Sequence, residues 1–145
     1  MNKKQIQMKI CKAILESNTR LCKAKINDDE VMITTDGFVA FVLFEKECIF
    51  DLNKIPTNDK IAKFIHTNEA DEEIFITRKR FVDRGFTIAK LQGESCTVYA
   101  KEQIVKMFEK YHLFTNKDKF SVVAKNDLGM TVGMFCAMRF TEEER

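Results

Sequence analysis

Seven apolar residues in a row, 38–44, stand directly behind an Asp36-Gly37 pair, and this constrains the chain more than any other stretch. Asp and Gly both tolerate the positive φ of a tight type I′ turn, so such a pair between two β-rich runs predicts a hairpin. The run itself does not alternate, which means both faces of its strand must be covered. With residues 21–26 ahead of a polar turn and 30–35 ahead of the Asp-Gly pair, the spacing predicts a three-stranded antiparallel meander.

Further strands are predicted at 73–80 and 86–91, joined by a turn at Val82-Asp83-Arg84-Gly85, and at 95–99. Two more, 119–125 and 130–140, flank Asn126-Asp127-Leu128-Gly129. Helical spacing is found in two places: Ile6, Ile10 and Ile14 within 3–16, and Ile104, Val105, Phe108, Tyr111 and His112 within 101–112. A shorter helix is expected over 59–66, behind Asn58. The pattern therefore predicts an α+β fold, with two main amphipathic helices on one face of an antiparallel sheet. A basic helix followed by a meander occurs at both ends. This outlines a pseudo-twofold repeat of halves 1–55 and 95–145 within a single domain, 1–145.

Basic residues number 24 and acidic residues 22, so overall charge implies no polyanion partner and any such role must come from placement. The five cysteines, Cys11, Cys22, Cys48, Cys96 and Cys136, are odd in number and form no Cys-x-x-Cys pair. They read as small buried hydrophobes in a reducing compartment, hence a cytoplasmic protein. Gln5, Gln7, Lys9 and Lys12 interrupt any signal-peptide core, and no apolar run is long enough for a membrane helix.

No catalytic constellation, metal site or cofactor is expected. His66 and His112 are isolated and the cysteines scattered, whereas zinc needs clustered ligands. Cys48 has Glu47 beside it but no histidine near in sequence, and Gly129 and Gly133 lack a phosphate-loop spacing. An enzyme would need a site assembled only in the fold, for instance Cys48 or His112 with acidic neighbours.

Binding features remain. Arg78, Lys79, Arg80 and Arg84 form the densest positive cluster, with Phe81 and Phe86 close by as stacking platforms are in single-strand binders. The same residues fit a charged strand edge that resists aggregation. Lys9, Lys12, Lys106 and Lys110 would make one phosphate-contacting surface if the two helices lie side by side; otherwise they are a solvated face. Met130, Val132, Met134, Cys136, Met138 and Phe140 share one face of the last strand, a stripe that fits core better than a partner surface.

Two segments resemble the bacterial DNA sliding clamp, the β subunit of the replicative polymerase. Thr34-Thr35-Asp36-Gly37-Phe38-Val39-Ala40 is similar to that family's Ala-Thr-Asp-Gly-His-Arg-Leu-Ala turn, and Met134-Phe135-Cys136-Ala137-Met138-Arg139-Phe140 to its terminal Met-Pro-Met-Arg-Leu. The resemblance implies one clamp-like domain, non-enzymatic, with both helices facing DNA and Lys9, Lys12, Lys106 and Lys110 on the phosphate backbone. It also implies either a homo-oligomeric ring of several copies or a monomer that kept the fold and lost the ring, and a replication-type protein partner held near Met138 and Phe140. The alternative is a protein-interaction or regulatory module without DNA affinity.

Overall fold

A computed structural model describes residues 4, 5, 8, 21–26, 29–35, 39–44, 57, 70–116 and 121–138. The chain divides into two compact units, Met1–His66 and Thr67–Arg145.

The first unit contains the predicted meander. Strands β1 (Leu21–Ile26), β2 (Asp29–Thr35) and β3 (Val39–Phe44) pair in order, each antiparallel to the next. In β1 the residues alternate, with Cys22, Ala24 and Ile26 buried and Lys23 and Lys25 on the other face. Val31, Met32 and Ile33 of β2 are buried consecutively, as is every residue of β3, so both faces of these strands are covered as the unbroken apolar run requires. Thr35 pairs with Ala40, while the Asp36-Gly37 turn lies outside the described residues.

In the second unit the strand order is β9-β8-β7-β4-β5-β6, formed by β4 (Glu72–Asp83), β5 (Phe86–Gln92), β6 (Thr97–Lys101), β7 (His112–Thr115), β8 (Ser121–Lys125) and β9 (Thr131–Cys136). Every ladder between them is antiparallel. One face carries the core: Ile74, Leu91, Val98, Ala100, Leu113, Val122, Ala124 and Phe135 are buried there. A four-residue helix, α1 (Glu102–Val105), and a 3-10 turn over Lys106–Phe108 lie on that face. Phe108, fully buried, stacks on Phe135 with ring centroids 5.7 Å apart.

The expected pair of long helices on the sheet is overturned. Among the described residues the fold is mainly antiparallel β, with nine strands and α1 as the one helix given bounds. Lys4, Gln5 and Met8 are helical, and the rest of the predicted 3–16 helix and all of 59–66 lie outside the described residues. The predicted 101–112 helix fails for a local reason. Leu113 and Thr115 are buried at period two, so the chain from His112 onward goes into the sheet. Tyr111 N–H closes a turn onto Phe108 O at 3.0 Å instead of extending the helix. The two-helix layout that the clamp resemblance required is therefore not the one observed. Of the terminal stripe, Val132 and Met134 are half-buried and Cys136 exposed, and the core side of β9 is Thr131, Gly133 and Phe135. Among the described residues no helix is long and apolar enough to cross a membrane.

The turn from β5 to β6 is held by one carboxylate. Glu72 accepts from Ser95 Oγ, from Ser95 N–H at 3.0 Å and from Cys96 N–H at 2.6 Å. Gly93 is needed beside it: a Cβ there would press on the same carboxylate and lie 2.9 Å from Ile74 Cγ2. The Ser95 hydroxyl and these N–H groups favour the charged form, so the Glu72 carboxyl is lowered from 4.5 to about 2. Its contribution to stability is present above pH 4.5 and is lost as pH falls toward 2. Glu72→Gln is expected to melt below the wild type at neutral pH. The two melting temperatures should converge as the pH is lowered through that window in a calorimetric series.

Candidate nucleic-acid interface

β4 is twice the length its neighbours need. Glu72, Glu73 and Ile74 pair with β7, but from Arg80 to Asp83 the strand pairs with β5 instead. That outer stretch forms a hairpin arm whose tip is Arg84-Gly85. Both residues have positive φ, +51° and +84°, and Asp83 pairs with Phe86 across them. These are the features of a type I′ turn, for which Asn-Gly is the unstrained sequence. Arginine in the left-handed region is held there against its preference.

The basic cluster lies on this arm. Ile76 pairs with Leu91 and Arg80 with Ala89, which leaves Thr77, Arg78 and Lys79 opposite Lys90: a bulge that turns backbone outward. Arg80 closes it from behind. Its guanidinium donates to Thr77 O at 2.6 Å and Lys79 O at 2.8 Å, and its Nε to Glu102 Oε1 at 3.1 Å. Thr77 Oγ1 in turn donates to Lys90 O at 2.8 Å. Arg80 is thus committed to carbonyls and a carboxylate, while Arg78, Lys79 and Arg84 are exposed. Phe81 packs edge-on against Tyr99, with centroids 5.7 Å apart, and so belongs to the arm's base. Phe86 is 40% exposed, with Lys101 Nζ 3.8 Å from its ring centroid.

Of the four lysines expected on helices, two fall within the described residues. Lys9 and Lys12 lie outside the described residues. Lys106, on the 3-10 turn, sits 3.9 Å from Glu102 Oε1, the oxygen that also receives Arg80. Lys110 is exposed in the turn before β7. Met138 is half-buried and its N–H donates to Tyr99 O at 2.7 Å, so its backbone extends the sheet beside β6; Phe140 lies outside the described residues.

Sequence reading missed a bridge on the outer face. His112 Nε2 lies 2.8 Å from Asp127 Oδ1 and Nδ1 lies 3.2 Å from Glu73 Oε2, which joins β4, β7 and the β8–β9 turn. Its partners are 15 and 39 residues away in the chain, and no local pattern signals that. Hydrogen bonding to Asp127, then to Glu73, raises the imidazole above its usual 6.5. Both ring nitrogens face carboxylate oxygens, an arrangement that favours the protonated imidazole. Among the described residues no group of three or more His, Cys, Asp or Glu is placed to hold a metal ion. The chain matches no family model, no curated protein and no solved structure.

Two outcomes are expected. Arg84→Asn removes the turn strain and should stabilise the fold by about 1 kcal/mol in urea denaturation. His112 contributes below pH 6.5 and loses that contribution as pH rises through its raised value. The melting difference between wild type and His112→Gln should accordingly be larger at acidic than at alkaline pH.

Proposed function

We propose that this protein is a non-catalytic module that binds the phosphate backbone of DNA, using the β4–β5 arm and not a helical face. The observation that carries this reading is the bulge and tip that set Arg78, Lys79 and Arg84 in solvent on one arm while the Arg80 guanidinium bonds back to Thr77 O and Lys79 O and holds the shape. In the stretch from Arg78 to Lys90 the sequence sets Arg78, Lys79, Arg80, Arg84 and Lys90 against Asp83 as the one acidic residue. Clustered cations of this kind displace counterions from a polyanion without reading its sequence. The strained Arg84 adds support, since a turn selected for stability alone would carry asparagine there. The odd cysteine count suits work in a reducing, cytoplasmic setting.

A protein-interaction module without DNA affinity is the competing reading, favoured by Val82 and Leu128, which are 74% and 84% exposed. Val82 lies in β4 and Leu128 in the β8–β9 turn, and single exposed apolar residues are ordinary on a protein surface.

Fluorescence anisotropy with labelled DNA separates the two. Binding should weaken between ~50 and ~200 mM salt with a log–log slope of about −2 to −3, as about three phosphate contacts require. Reversing charge at Arg78, Lys79 and Arg84 together should abolish it. A wild-type protein that binds no DNA at the lowest salt would sink the proposal.

A further inference from the structure

We infer that the arm takes single-stranded polynucleotide in preference to duplex, with Phe86 and Phe75 as base-stacking platforms and Arg84, Lys90 and Lys101 beside the strand's phosphates. This rests on the DNA-binding reading and specifies its ligand.

The register places the two rings on one side. Phe75 pairs with Gln92, and Gln92 and Phe86 are an even number of residues apart on β5, so all three side chains leave the same face. Lys90 shares that parity and lies between them, and Lys101 comes from β6 opposite Ile88. Both rings are open to solvent, Phe75 at 62% and Phe86 at 40% exposure, although a hydrophobic side chain gains by burial. The cover of Phe86 is an ammonium, Lys101 Nζ at 3.8 Å from the centroid. A ring with a cation at its face is matched to a nucleotide: the base takes the ring and the ammonium swings to the phosphate. Along β5 the two platforms are about 20 Å apart, a span of several nucleotides.

Duplex DNA cannot use these rings, because its bases are stacked on one another and offer no free π-face at the surface. A single strand can, and every base has such a face, so the site tolerates any sequence. Ile88 and Tyr99 lie on the same side between the platforms and are buried, Phe81 packing against Tyr99, so the strand stacks at its two ends and passes over that cover.

The test compares an oligothymidylate of about twelve nucleotides with a blunt duplex of equal length, and with oligouridylate to compare DNA and RNA. The wild type should bind the single strand more tightly than the duplex. The Phe75→Leu, Phe86→Leu double variant keeps apolar bulk but loses both π-faces. It should bind oligothymidylate at least ~10-fold more weakly and the duplex unchanged, with its melting temperature preserved. Phe86→Trp should bind the single strand more tightly. Equal or tighter binding of duplex, or a double variant with undiminished single-strand affinity, overturns this inference and leaves the DNA-binding reading standing. Binding of neither probe overturns both.

Discussion

The second unit depends on β4 being shared between two partners. Its first residues are a central strand, hydrogen-bonded to β7 and sealed to the β5–β6 turn by Glu72. Its last residues belong to β5 and leave β7 behind. A strand that changes role must break register somewhere, and the break leaves carbonyls without a ladder partner. An unpaired backbone carbonyl costs free energy unless something donates to it. The Arg80 guanidinium donates to two of them and anchors to Glu102, so one side chain makes the bulge tenable and fixes where its neighbours point.

The same interaction explains which parts of the fold were legible in the sequence. Strand positions were readable from period-two patterning and turn residues, and β1, β2, β3, β5 and β8 fall close to where that patterning puts them. The helix over 101–112 was misread because Ile104, Val105, Phe108 and Tyr111 satisfy a helical period even though only a few of them are helical. Short apolar segments fit both periods, and tertiary pairing with β4 and β8 decided for the strand. Arg78, Lys79 and Arg84 were legible as a cluster. That Arg80 would be tied to Glu102 was not, since that anchor is 22 residues away. Nothing local indicated that Glu72 would reach Ser95, or His112 two carboxylates.

Charge placement then accounts for how a chain with net charge +2 can present a basic surface. In the second unit several acidic groups are occupied internally. Glu72 faces N–H donors, Glu73 and Asp127 face His112, and Glu102 faces Arg80 and Lys106. A cationic partner offsets an anion, as Arg80 and Lys106 do for Glu102, whereas Glu72 keeps its charge among neutral donors. On the arm Arg78, Lys79 and Arg84 are exposed and outnumber Asp83, so the local balance of charge is positive even though the sum over the chain is nearly neutral.

The arm is also where local sequence choices disagree most with stability. Arg84 takes a left-handed conformation that suits glycine or asparagine, and Phe75 and Phe86 stay in water beside a core that buries other aromatics fully. Departures of this kind scattered over a surface would mean little. Here they lie on one hairpin, with its two phenylalanines on one side and cations around them. Residues that give up folded-state stability together on one hairpin are the physical basis of the proposed ligand contact. Optimising the arm for the folded state, with asparagine at the tip and polar residues for the rings, would remove the features on which the proposed strand binding rests.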